Sequence, residues 1–248
     1  MKHFNAAVPR ALFVGTVALA TITLVACGGG GSSPTATVKG TAAVGAALPN
    51  ASVQLSCKNG SGSATSDANG AYSASFHFDG PCSITASSGG ITIHSFASGA
   101  GTFNVTPLTQ LLLSYLAGYL GTTVDGLLAG VSTNATYQSA LTNSALINSA
   151  ENSVAKLLSS MYGVTLSTNA FPTASFTPGQ AGPDADLDAL QAAGAIGSDG
   201  QPAASLVSAA SAAGTAAGVA AGATGGSGSP GGATGGSGGT SGTASTTK

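Results

Sequence analysis

Ser52-Val53-Gln54-Leu55-Ser56-Cys57 places an apolar residue at every second position, the period of a strand that turns one face to a core. Tyr72-Ser73-Ala74-Ser75-Phe76-His77-Phe78 and Cys82-Ser83-Ile84-Thr85-Ala86 keep the same period. Turn signals separate these runs: Pro49-Asn50, Asn59-Gly60, Asn69-Gly70, Asp79-Gly80-Pro81 and Gly89-Gly90. Short strands at a spacing of about ten residues predict an antiparallel β-sandwich. Cys57 shares its phase with Val53 and Leu55, and Cys82 with Ile84. Both thiols are therefore expected to point inward, where a bridge ties either the two sheets or two neighbouring strands.

Over residues 36–105 three blocks read together: Val38-x-Gly40, Leu48-Pro49-x-Ala51-x-Val53-x-Leu55, and Thr65-Ser66-Asp67-Ala68-Asn69-Gly70-x-Tyr72. They resemble the carboxypeptidase regulatory-like, or transthyretin-like, β-sandwich domain. Val38, Val53, Leu55 and Tyr72 supply core, Pro49 fixes φ before a strand, and Asp67-Ala68-Asn69-Gly70 makes a tight turn. The resemblance implies an accessory, non-catalytic domain of immunoglobulin or transthyretin type.

The period changes after Asn104-Val105. Thr106 is suited to N-cap a helix and Pro107 to its first position. Leu108, Leu111, Leu112, Tyr115, Leu116, Tyr119 and Leu120 then follow the spacing of one helix face. A second helix is predicted from Val124 to Val131, with Asp125 near its positive end. A third starts near Tyr137 and runs through Ile147, Ala150, Val154, Leu157, Leu158 and Met161 to Gly163. Phe171-Pro172 and Phe176-x-Pro178 predict an extended segment pinned by two aromatics, and Asp184 to Leu190 a last short helix stopped by Gly194. The junction Asn104-Val105-Thr106-Pro107-Leu108-Thr109 resembles one in bacterial lipoproteins that join such a sandwich to a helical module. The expected fold class is α+β: the sandwich at 36–105, a helical module at 106–195, and a low-complexity, largely disordered tail at 196–248. In that tail Gly222-Ala223-Thr224-Gly225-Gly226-Ser227-Gly228 recurs at Gly232 to Gly238, and disorder is expected from about Gly214.

The N-terminus carries Lys2 and Arg10, then an uncharged apolar run from Ala11 to Ala26 ending in Leu24-Val25-Ala26-Cys27. This arrangement resembles a bacterial lipoprotein signal peptide (1–26) with its lipobox. The resemblance implies cleavage after Ala26, acylation of Cys27 with palmitate-type chains, and a flexible tether at 27–35 rich in glycine and serine. Several chains make a durable anchor where one is marginal. Gly28, not aspartate, follows Cys27, which in enteric bacteria favours the outer membrane over inner-membrane retention. With Cys27 lipidated, Cys57 and Cys82 remain as one possible disulfide in an oxidising compartment. Closing the loop from Cys57 to Cys82, about 26 residues, is worth roughly 3.5 kcal/mol in the chain-entropy model. The spacing lacks the Cys-x-x-Cys of a redox site.

After Cys27 the chain has only Lys39, Lys58, Lys156 and Lys248 against eight acids, a net charge of −4. That balance excludes nucleic acid as a partner. Charged residues make up 6% of the chain, against about 25% in ordinary domains. Chemistry finds little support. His77, Asp79 and His94 lie on strands as surface residues without the spacing of a metal site. Asp184, Asp186 and Asp188 echo a calcium loop, yet lack its glycine and distal glutamate, and are expected to be helix-terminus charges. Gly235-Gly236-Ser237-Gly238-Gly239 matches the hydrolase elbow only in letters. Glycosidase chemistry needs two carboxylates facing a cleft; of the acids inside the expected folded core, Asp67 and Asp79 are turn residues, leaving Asp125 and Glu151 on helices. The chain is thus expected to be a non-enzyme without metal or cofactor. Its expected partners are the membrane, through lipid on Cys27, and an envelope protein or a glycan. An adhesin or carbohydrate-binding lipoprotein is the first alternative and a weak hydrolase, dependent on His77 or His94, the second.

Overall fold

The structure, a computed structural model, describes residues 35–222. The leader, Cys27, all of the tether but Thr35, the tail from Ala223 and its serine-containing glycine run lie outside the described residues. The architecture is mixed α+β, with two sheets followed by six helices among the described residues. Strands β1 (Thr35–Thr41), β4 (Ala71–His77) and β7 (Gly101–Thr102) form one sheet in the order β4-β1-β7. Strands β2 (Ser52–Asn59), β3 (Ser61–Thr65), β5 (Asp79–Ser88) and β6 (Ile91–Ala97) form the other in the order β3-β2-β5-β6. All pairings are antiparallel except β1 with β7, which is parallel over Val38↔Gly101 and Lys39↔Thr102.

The alternation read from the sequence sets the buried faces. Val38, Tyr72 and Ala74 of the first sheet and Val53, Leu55, Cys57, Ile84, Ala86 and Ile93 of the second share one buried cluster. Cys57 and Cys82 are bonded, and they are register partners on neighbouring strands β2 and β5. Of the two placements left open by phase, the bridge therefore lies within one sheet. Asp67 builds its turn as the residue types require. Its carboxylate accepts from the N–H groups of Asn69 (2.8 Å) and Ala71 (2.9 Å), and Gly70 takes φ +75°. At Gly70 a Cβ would also sit 2.4 Å from the Ala42 carbonyl oxygen, so glycine is required twice over. Asp79-Gly80-Pro81 differs from expectation: these residues begin β5, and only Phe78 separates β4 from β5.

Helix α1 (Pro107–Tyr119) starts where the sequence places it. Thr106 and Thr109 form a reciprocal capping box, with Thr109 Oγ1 accepting from the Thr106 N–H at 2.9 Å. Helix α2 (Val124–Gly130) is capped by Thr123. The single helix expected from Tyr137 to Met161 is two, α3 (Ala135–Thr142) and α4 (Ser144–Tyr162). Asn143 breaks it: extended at φ −82°, ψ 99°, it ends α3 while its side chain accepts from the Leu146 N–H and caps α4. Gly163 closes α4 at φ +70°. Helix α5 (Pro183–Ala192) carries Asp184 and Asp186 in its first turn, as expected for helix-terminus acids.

The largest departure is α6 (Ala204–Ala220), a 17-residue helix in a stretch whose composition indicated a disordered tail. The helical part of the chain therefore extends past residue 195, and disorder does not begin at Gly214. Leu206, Ala210, Gly214 and Gly218 recur every fourth residue and form its buried stripe. The stripe lies on α1 in the same direction, with Gly214 beside Tyr115 and Gly218 beside Tyr119. Contact is backbone to backbone: a Cβ would sit 1.9 Å from the Tyr115 carbonyl oxygen at Gly214, 2.2 Å from that of Tyr119 at Gly218, and, from the other side, 2.1 Å from that of Ser211 at Gly118. Small residues let two helices approach to this distance. Leu108, Leu111, Leu112, Leu116, Leu127, Leu141, Leu158, Leu187 and Leu206 fill the helical core.

Gly214→Val is expected to lower the unfolding free energy by about 1–3 kcal/mol through overpacking. Ala216→Gly, on the exposed face of the same helix, is expected to cost no more than about 1 kcal/mol. Urea unfolding of both variants checks the pair, and equal losses would remove the argument for close approach.

Candidate functional site

The segment from Asn104 to Gln110 joins the two halves. The Asn104 side chain, 1% exposed, accepts from the Thr41 N–H (3.2 Å) and donates through Nδ2 to the carbonyls of Phe171 (3.1 Å) and Ala174 (2.8 Å). Its own N–H donates to the Pro172 carbonyl at 2.6 Å. Thr109 Oγ1 donates to the His94 carbonyl on β6 at 2.9 Å, and Gln110 Oε1 accepts from the His94 N–H at 2.9 Å. His94 Nδ1 lies 3.1 Å from the same oxygen. His94 thus meets the first turn of α1 and is half-buried, not a free surface residue.

These bonds hold Phe171, Pro172 and Ala174 beside the end of β1 in the three-stranded sheet. Phe171 is buried in the helical core and Phe176 packs against it, so the two aromatics pin the segment as their spacing suggests. Between this segment and the sheet lies a cleft of about 320 Å³, lined by residues of β1, β4 and β7 on one side and by Thr173, Ser175 and Phe176 on the other. Register sets Ser73, Lys39 and Thr102 side by side across β4, β1 and β7. Among the described residues Lys39 is the only charged one lining the cleft. Tyr72, also among its lining residues, is committed elsewhere: its side chain belongs to the core, its hydroxyl donates to the Phe103 carbonyl, and burial pushes its ionisation far above the ordinary tyrosine range.

The residues weighed for chemistry are dispersed. His77 is exposed at the end of β4, and Asp79 accepts from the Asn59 side chain. Asp186 accepts from the Ser167 N–H and, at 2.7 Å, from its hydroxyl, while Asp184 accepts from the Gly179 N–H at 2.7 Å. Both carboxylates fasten the loop between α4 and α5 and are engaged by protein donors. Among the described residues no group of three or more His, Cys, Asp or Glu side chains is placed to hold a metal ion. Glu151 is buried on α4, 6% exposed, and burial pushes its carboxyl up to about 7. Asp125 lies exposed in the first turn of α2. Among the described residues no single helix is long and apolar enough to cross a membrane.

Sequence reasoning missed the cleft, because Lys39 and Ser175 stand far apart in the chain and neither belongs to a motif. The signal that could have found it was Asn104, a polar residue placed between an apolar strand end and a helix start.

Asn104→Ala removes three side-chain hydrogen bonds from a buried site and is expected to cost about 2–4 kcal/mol. Faster hydrogen exchange at the Thr41 amide should accompany the loss. Glu151 acts in the opposite sense. Its folded value of about 7 exceeds the ordinary 4.5. The folded state therefore holds the proton more tightly, and stability present below about pH 4.5 falls as pH rises through 7. Glu151→Gln is expected to match the wild type in thermal melts at pH 4 and to exceed it at pH 8 by about 1–3 kcal/mol. Comparison with known proteins found no matching family model, no similar curated protein and no similar solved structure.

Proposed function

We propose that this protein is a lipid-anchored component of a bacterial envelope, with a non-catalytic structural or binding role. The observation that carries the reading is the division of labour among three cysteines. Cys57 and Cys82 are bonded to each other, as befits an oxidising compartment. Cys27 is left at the end of a basic-then-apolar leader, eight residues before β1 begins. The outer membrane is the proposed location, from Gly28 after the lipid-bearing position. The two sheets, with inner faces sharing one core, support the immunoglobulin- or transthyretin-like sandwich suggested by the sequence blocks.

A binding role is favoured over a purely structural one by the cleft with its single lysine. An adhesin or glycan-binding lipoprotein is accordingly the second reading. Hydrolysis has less support: His94 is held at the start of α1, and His77 stands on another strand of the other sheet.

Metabolic labelling with a fatty-acid analogue tests the anchor. Label is expected on the wild type and not on Cys27→Ser, with the wild-type protein in the outer-membrane fraction. Equal labelling of both, or none in either, would overturn the reading, and digestion by protease on intact cells would place the protein on the outer surface.

A further inference from the structure

The outer face of the three-stranded sheet carries an unusual inventory. Thr37, Lys39 and Thr41 of β1, Ser73 and Ser75 of β4, and Thr102 of β7 present hydroxyls around one ammonium. Thr37 and Ser75 satisfy each other at 2.7 Å. Among the described residues Lys39 Nζ has no hydrogen-bonding or ionic partner, and neither do the hydroxyls of Thr102 and Ser175. Groups left open in this way, on a concave surface, are the donors and acceptors a ligand would use.

Their chemistry narrows the ligand. One lysine with no arginine suits a single negative charge better than a phosphate, for which bidentate guanidinium or a helix N-terminus is the usual partner. Hydroxyls at the rim and on the wall can exchange hydrogen bonds with hydroxyls of the ligand. Phe176 offers a half-buried apolar ring on the wall. With no tryptophan in the chain, recognition must rest on charge and hydroxyls more than on stacking. The volume of about 320 Å³ accommodates one or two sugar rings. We infer that the cleft between β1, β7 and residues 173–176 binds an acidic saccharide, with Lys39 receiving the carboxylate of a uronic acid. The inference deepens the binding role proposed above and rests on it; it does not depend on how the chain reaches the membrane.

The test uses the full chain in detergent and a glucuronic-acid disaccharide as probe, with its neutral glucose counterpart and inorganic phosphate for comparison. Calorimetric titration is expected to give saturable binding of the uronate. The neutral sugar should bind at least about tenfold more weakly, consistent with loss of one charge-assisted contact. Lys39→Met should weaken the uronate to the level of the neutral sugar, Lys39→Arg should restore part of the affinity, and binding should fall as salt rises. Ser175→Ala supplies a second variant on the opposite wall, expected to weaken both sugars alike. No uronate binding, equal affinity for the neutral sugar, preference for phosphate, or affinity unchanged in Lys39→Met would each overturn the assignment. Fatty-acid labelling of the same preparations reports the anchor separately, so the loss of one result is distinguishable from the loss of the other.

Discussion

The architecture depends on the burial of one amide side chain. Asn104 sits at the end of the sheets with almost no exposure, and an unpartnered amide there would cost about 1–3 kcal/mol for each group left unsatisfied. The fold meets this demand by bringing Thr41, Phe171 and Ala174 to it from distant parts of the chain. Thr106, Thr109 and Gln110 extend the same seam onto β6. Sheets and helices are thus joined by directional bonds, where apolar contact alone would permit sliding.

Much of this was legible because it is local. Alternation fixed the inner faces of β2, β4 and β5, and the Thr-Pro pair marked the start of α1. Asp67 made its turn with its own neighbours. Elements dependent on distant partners were hidden. β3, Ser-Gly-Ser-Ala-Thr, has little apolar content and pairs as an edge on β2. Helix α6 reads as low complexity because its buried stripe after Leu206 is alanine and glycine. Those residues give it no amphipathic signal, yet they are what close approach to α1 requires. The break between α3 and α4 was readable in principle, since Asn143 is a residue type that caps helices, but the apolar spacing continued through it.

The cleft illustrates the same limit for function. Lys39 entered the sequence reading only as one of a few cations. Its neighbours on either side come from the strands paired with β1, and its facing wall from a segment more than a hundred residues later. The acids at the start of α5 were legible as helix-terminus charges, whereas their work of holding Ser167 and Gly179 was not.

The order in which the chain is made gives the seam a further consequence. β1 is the first strand, yet its β7 partner follows some sixty residues later, and the Asn104 contacts to Phe171 and Ala174 span 67 and 70 positions. Closing such loops is entropically costly and contacts of this range form slowly. A chain that emerges amino-end first can fold its hairpins early, but β1 cannot complete its sheet until β7 has emerged, nor the cleft gain its second wall until residues 173–176, beyond α4, have followed. Asn104 is therefore a timing element as well as a brace: the surface around Lys39 takes shape only once the segment that follows α4 has reached it.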